Sequence, residues 1–357
     1  MYVTTKGAIG ACALFLSAMA PLAIGAPTVS GVSGTLSSGQ TVTVRGSGFG
    51  TKPTAAPVLW DNFEGGNSGS LIQGAAAPVG RWDTGAGSEN PVYSTAKAHS
   101  GAKSAYNNFV NNYNSSLAKN MTFTRLYMDF WINADYLDQK SRNFKPWRLY
   151  GDNDSYQLDY VWLCNGNLMN RVQDSAGFSQ GDWGGPNYSD NQWMHIQLVY
   201  NESSPNVANG TVRHFINSQV AGNDSGAIMT EKTSAHFEQI RIGHYWDRAA
   251  VDACPSNSGA SVYVDDVYID TSWARVELGN ASTYSGSTHR EVQLASTWAD
   301  GSIAVKFNPG SFASGSTAYL FVTDANNNTS PGIAVTIGGA STPPPTTVRP
   351  SPPTGVN

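Results

Sequence analysis

The chain has 357 residues, a net charge of −5 and only 13% charged residues, against about 25% in an average soluble protein. There is no basic block, which argues against a nucleic-acid partner and against a polybasic membrane-surface patch. Gly, Ser, Thr and Asn carry the solubility and aromatics reach 11%, a balance that suits an exported all-β protein.

In chain order, the first segment carries Lys6, then the apolar run "GAIGACALFLSAMAPLAIG", then a small-x-small site at Ala23, Ile24 and Gly25. Residues 1 to 25 are therefore expected to be a cleaved signal peptide, too short in their apolar core for a membrane anchor. Cys12 sits too early for lipidation, with no apolar region ahead of it. No later segment offers about 18 uninterrupted apolar residues, so the mature protein is expected to be secreted, either extracellular or at the cell surface. Cys164 and Cys254 remain after cleavage. An even number in an oxidising compartment predicts one disulfide, with two buried free thiols as the alternative.

Beyond the leader, strands dominate. "QTVTVRG" sets Val42 and Val44 against Thr41, Thr43 and Arg45. "LYMDFWINA" sets Leu126, Met128, Phe130 and Ile132 against Tyr127, Asp129, Trp131 and Asn133. In "QWMHIQLVY", Met194, Ile196, Leu198 and Tyr200 alternate with Trp193, His195 and Gln197. "FEQIRIG", "SVYVDDVYID", "SIAVKFN", "TAYLFVTD" and "GIAVTIG" continue the period of two. Such runs, bounded by Gly, Asn, Ser and Pro, read as antiparallel strands of a sandwich. Residues 339 to 357, rich in Pro, Thr and Ser, read as an extended tail or linker.

"PTVSGVSGTLSSGQTVTVRGSGFG" resembles the first two strands of an IPT/TIG immunoglobulin-like domain, yet no further strands of such a domain follow it. After residue 272, "VTDANNNTSPGIAVTI" resembles the closing hairpin of that family. Residues 26 to 58 and 272 to 338 together make about 100 residues, the size of one immunoglobulin-type sandwich, whereas the first piece alone is too small to fold. One split domain is expected, interrupted by residues 59 to 271; two unrelated β segments flanking a central domain are the alternative. Those central residues, with "WDNFEGG", "LYMDFWINA", "QWMHIQLVYN" and "VYVDDVYID", resemble the concanavalin A-like lectin/glucanase jelly rolls, including the laminin G-like group. The expected fold is thus an all-β jelly-roll sandwich inserted in, or flanked by, an immunoglobulin-like sandwich.

The resemblance implies a glycan on a concave sheet. Alternation independently turns Tyr127, Asp129, Trp131, Asp159, Trp193, His195, Gln197 and Arg241 outward. Aromatic rings suit the CH face of a pyranose and the polar groups its hydroxyls, so these eight are the expected ligand face. "KPWRLYG" adds Trp147, Arg148 or Tyr150. The expected function is non-catalytic carbohydrate binding or surface adhesion, with a polysaccharide or glycoconjugate as partner. One alternative is a polysaccharide lyase using His195, Gln197, Arg148, Arg241 and Tyr245, or a glycoside hydrolase, although "MHIQ" reverses the Gln-x-His order of alginate lyases and no Glu-x-Asp-x-x-Glu run occurs. Another is a structural spacer. Related jelly rolls also imply a structural Ca²⁺ where the opening and closing strands meet, here with Asp61, Glu64 and Asp265 as oxygen ligands. His214, His236, His244 and His289 show no metal-ligand spacing and read as structural or solvated.

Overall fold

The computed structural model describes residues 25–84, 91–109, 115–135, 144–151, 156–162, 168–173, 179–183, 189–221, 229–230, 236–246 and 260–341. The expected signal peptide up to residue 24, the tail from residue 342 and both cysteines, Cys164 and Cys254, lie outside them. Asp159 and Tyr245 are described in backbone only.

The fold is all-β, with no helix among the described residues. Two strands come first, β1 (Thr28–Thr35) and β2 (Thr41–Ser47). The central region runs β3 (Leu59–Asp61), β4 (Val92–Ser94), β5 (Ser104–Asn108), β6 (Leu117–Phe123), β7 (Arg125–Ala134), β8 (Phe144–Gly151), β9 (Tyr156–Trp162), β10 (Leu168–Gln173), β11 (Ser179–Trp183), β12 (Trp193–Asn201), β13 (Thr211–Ile216), β14 (Gln219–Ala221), β15 (Phe237–Trp246) and β16 (Ser261–Asp270). The chain closes with β17 (Arg275–Gly279), β18 (Arg290–Ala299), β19 (Ser302–Lys306), β20 (Thr317–Thr323), β21 (Ile333–Thr336) and β22 (Ala340–Ser341).

The first two strands and the last six form one sheet path, β21-β20-β17-β18-β19-β2-β1-β22. β18 serves two partners: its first half pairs with β17 and its second half with β19. That lets the path wrap into a small sandwich. Val32, Val42, Val44 and Phe49 lie in one core with Val276, Leu278, Val305, Leu320 and Val322. Residues from both ends of the chain thus bury one another, which neither piece could do alone.

The central strands make two sheets, β11-β10-β9-β8-β15-β6 and β14-β13-β12-β7-β16-β5-β4, with β3 also paired to β16. The opening and closing strands are adjacent, Asp61 facing Val267. Between the sheets lies the larger core, which takes Leu126, Met128, Phe130 and Ile132 from β7, Met194, Ile196, Leu198 and Tyr200 from β12, and Ile240 and Ile242 from β15. Trp147 belongs to this core rather than to an outer face.

The opposite face of β7 and β12 is not open, which corrects the expected exposure of the ligand face. Tyr127, Asp129, Trp131, His195 and Gln197 are all buried, and Trp193 is half-buried. The cover is the small sandwich. Tyr127, Val199, Trp60 and Tyr268 share a third apolar cluster with Val292 and Leu294 of β18. Polar ties reinforce the seam. Trp273 Nε1 donates to the carbonyls of Leu126 and Tyr200 at 3.2 and 3.1 Å, and Lys52, on the connection between β2 and β3, pairs with Asp270 at 2.7 Å.

Candidate ligand cleft between the two sandwiches

Where the small sandwich meets β7, β12 and β13, a cavity of about 340 Å³ remains. Tyr127, Gln197, Arg275 and Arg290 form its buried floor, and Arg213 and Tyr284 are half-buried at its sides. Val199, Phe215 and Val220 supply apolar wall; Val220 is exposed. Strand register explains the convergence. Val199 and Arg213 are paired across β12 and β13, as are Gln197 and Phe215, and Tyr127 of β7 lies opposite Val199. The small sandwich contributes from β17, from the start of β18 and from the loop between them.

The floor is a charged network. The Arg275 Nε donates to Glu277 Oε2 at 2.8 Å and its Nη2 to the Tyr284 hydroxyl at 2.7 Å. Its guanidinium lies 4.1 Å from the Tyr127 ring centroid. Arg290 donates through Nη2 to Gln197 Oε1 and stacks over Tyr284 at 4.3 Å. Its Nε is 3.6 Å from Glu277 Oε1, outside hydrogen-bond reach, so among the described residues this buried N–H has no partner. Arg213, Arg275 and Arg290 all line this cavity, with the Glu277 carboxylate behind its floor.

Behind the floor, Asp129 is the hub. It accepts from Tyr127 at 2.9 Å and from Gln197 at 2.9 Å, and contacts His195 Nε2 at 2.8 Å. Burial alone would push its carboxyl up, but His195 and these hydrogen bonds hold it below the usual carboxylate range. Trp131 is sandwiched between His195 and His99, with ring centroids 4.6 and 3.8 Å away. Of the expected ligand face, the structure therefore brings Tyr127 and Gln197 to a cavity. It buries Asp129, Trp131 and His195 beneath one, and leaves Trp193 at the edge against His99. His195 sits too deep to meet a substrate as a base.

Arg241 belongs to the other sheet. There Arg148 and Arg241 both stack on the Tyr150 ring, at 4.7 and 4.6 Å, and Arg148 Nη1 donates to the Tyr150 hydroxyl at 2.9 Å. Gln239, which bonds both Arg241 and Asn120, completes the group. Arg148 and Arg241 are therefore together, while His195 and Gln197 of the expected lyase set are on a different sheet.

Asp61, Glu64 and Asp265, the expected Ca²⁺ ligands, are not in the group of side chains among the described residues whose ligand atoms lie within 4.8 Å of one another, which is His99, His289 and Glu291. Each carboxylate instead accepts N–H donors. Asp61 takes Phe63 N and Trp82 Nε1 at 2.8 Å each, Glu64 takes the amides of Ala102 and Lys103, and Asp265 takes those of His99 and Asp266. The reason is that β3 and β16 are buried strands, where a carboxylate is satisfied by local amides. His214, also buried, has its pKa pushed down to about 3 by burial, as suits a core histidine.

Arg213, Arg275, Tyr284 and Arg290 escaped the sequence reading. No short motif links them, and only the packing of the small sandwich against a central sheet makes them neighbours.

No family model matches the chain, and no curated protein matches it. Among solved structures it is similar to an endo-β-1,4-glucuronan lyase from the fungus Trichoderma reesei, at 11% identity over 61% of this chain and 97% of that one, TM-score 0.40. It is similar to a marine alginate lyase from Aplysia kurodai, at 10% identity over 50% and 86%, TM-score 0.39. It is also similar to a cellulose induced protein, at 13% identity over 60% and 97%, TM-score 0.38.

Proposed function

We propose that the protein is an exported, non-catalytic carbohydrate-binding protein that takes an acidic sugar unit in the cleft between its two sandwiches. The carrying observation is the meeting of Arg213, Arg275 and Arg290 at one cavity with Tyr127, Gln197 and Tyr284. A planar guanidinium matches a carboxylate bidentately. The rings of Phe215 and Tyr284 suit the CH face of a pyranose. About 340 Å³ is at the small end of ligand sites, which favours a single sugar residue or a chain end. The small sandwich, which we read as a split domain of the IPT/TIG kind, would then form half of the site rather than a spacer.

The test uses Arg213, which is half-buried at the side of the cleft rather than in the floor network. Uronate oligosaccharides should bind and neutral glucan oligosaccharides should not. Arg213→Ala should weaken uronate binding about tenfold, the scale of one charge-assisted hydrogen bond. Equal binding of neutral and acidic sugars, or unchanged affinity in Arg213→Ala, would sink the reading.

A second reading has its own observation, the Tyr150 ring stacked by Arg148 and Arg241 with its hydroxyl accepting from Arg148. A tyrosine beside guanidiniums is the chemistry of uronate β-elimination, with Tyr as base and Arg neutralising the carboxylate. Appearance of unsaturated uronate ends, lost in Tyr150→Phe, would favour a lyase over a binding protein.

A further inference from the structure

A second cluster spans the same seam, on the far side of Trp131 from His195. His99 comes from the connection between β4 and β5, and His289 and Glu291 from the start of β18. One ligand atom from each lies within 4.8 Å of the others. The Glu291 Oε1 is 2.7 Å from His289 Nε2 and 3.8 Å from His99 Nε2. Bonds of about 2.0–2.1 Å around a tetrahedral ion place ligand atoms roughly 3.3 Å apart, and these separations bracket that value. We infer that His99, His289 and Glu291 form a zinc-type site that joins the two sandwiches.

The surroundings are built as such a site requires. The Asp266 Oδ2 is 2.9 Å from His99 Nδ1, and Ser100 Oγ donates to the other oxygen of Asp266 at 2.9 Å. A carboxylate on one ring nitrogen fixes the tautomer and aims the other nitrogen's lone pair at the ion. The His99 ring is further held by stacking on Trp131, with an interplanar angle of 12°. His289 is held edge-on by Phe312, with centroids 4.7 Å apart. Gly310, at φ 54°, lies where any Cβ would collide with the Glu291 carboxylate, so the backbone is shaped closely round that group. Ser311 Oγ is 3.1 Å from His289 Nε2 and 3.2 Å from Glu291 Oε1, next to the fourth position, where it or a water could complete the shell.

The donor set discriminates between ions. Two imidazoles and one carboxylate suit Zn²⁺ and its neighbours such as Co²⁺, whereas Ca²⁺ prefers six or more oxygens. One ligand comes from the central region and two from the small sandwich, so the ion binds only when the two are docked. It should therefore stabilise the docked state by mass action.

The experiment takes the full chain after chelation and dialysis. Zinc chloride alone is titrated against a chromogenic chelator, thermal unfolding is followed with and without zinc, and cobalt(II) is added to read its visible absorption. One equivalent of zinc should bind, the unfolding midpoint should rise, cobalt should give the intense bands of low coordination, and calcium should change nothing. Glu291→Gln and His289→Ala should each weaken zinc binding at least tenfold. Asp266→Asn should weaken it about 10–100-fold through the lost support of His99. His236→Ala removes the separate pair with Glu202 and should leave zinc binding intact. No binding by the wild-type chain, or zinc retained by Glu291→Gln, would overturn the inference, as would a loss that follows His236 instead. Should His289→Ala fail to fold, the nearly isosteric Glu291→Gln carries the same decision.

Discussion

The two faces of β7 are equally buried and chemically opposite. On one, Leu126, Met128, Phe130 and Ile132 enter the apolar core between the central sheets. On the other, Tyr127 and Trp131 meet Glu277 and His289 of the small sandwich, Asp129 is held by His195, and Asn133 accepts from Lys97 of the central region. Alternation says which residues share a face; what covers that face is a separate matter. Here the cover is a folding unit built from both ends of the chain, and the polar and aromatic residues beneath it serve as interface. Where the cover fits imperfectly, a cavity lined by Arg213, Arg275 and Arg290 remains on this face.

The largest expected effects probe the cover of each face. Phe130→Ala should destabilise by roughly 3–5 kcal/mol in urea unfolding, since it removes a fully buried ring from a close-packed core. A loss under 1 kcal/mol would mean the apolar face is loosely packed. On the interface, Lys52→Met strands the Asp270 carboxylate, which Lys52 meets at 2.7 Å with both side chains buried. A cost of about 3–5 kcal/mol is expected. Most of it should return in Lys52→Met/Asp270→Asn, because the penalty is that of an uncompensated charge. If the double variant is as unstable as the single one, the pair matters for shape rather than charge.

How legible this was depends on sequence distance. The all-β class and the side of each central strand were readable, because period-two alternation is local: Met128 and Gln197 lie on the sides that parity assigns. Exposure was not readable. The residues covering Tyr127 and Gln197 are Glu277 and Arg290, far along the chain and joined by no motif. The same holds for His99, His289 and Glu291. His289 and Glu291 are two apart at the start of β18, His289 just before its first residue, a spacing too common to notice until β18 docks beside His99. Nor does sequence reveal the amides that point at Asp61, Glu64 and Asp265.

Two buried carboxylates, Asp61 and Asp129, should respond to pH with opposite signs. Asp61 lies on the apolar side with Leu59 and Trp82, where burial raises its pKa from 3.8 to about 6 despite hydrogen bonds from Trp82 and Phe63. The folded state then holds a proton that the unfolded state releases. Stability should fall as pH rises from about 4 to 6, by roughly 3 kcal/mol for a shift of this size. Asp129, on the interface side, is lowered. Its contribution is present above the ordinary carboxylate range and is lost as pH falls through its folded value. Urea midpoints taken across this range should lose part of the upper slope in Asp61→Asn, because Asp265, Asp266 and Asp270 are raised as well, and should lose acid-side slope in Asp129→Asn. A slope between pH 4 and 6 that is undiminished in Asp61→Asn would assign it wholly to those other groups.

The smallest expected effect is the most informative about the interface. Tyr127→Phe keeps the ring, and with it the Arg275 stack at 4.1 Å and the edge contact with Tyr268. It removes one hydroxyl, which donates to Asp129 Oδ2 at 2.9 Å and accepts from Gln197 Nε2 at 2.7 Å. Neither partner is stranded. Gln197 Nε2 still reaches Asp129 at 2.9 Å and Glu277 at 3.3 Å, and Asp129 still has His195. The cost should therefore be about 1–2 kcal/mol, the range of a buried hydrogen bond whose partners keep other contacts, with the urea m-value unchanged. Because Glu277 lies on the other sandwich, a double-mutant cycle of Tyr127→Phe with Glu277→Gln should show coupling above about 0.5 kcal/mol. Additive losses would mean that the polar face of β7 is satisfied within its own sheet, and that the small sandwich covers it without reading it.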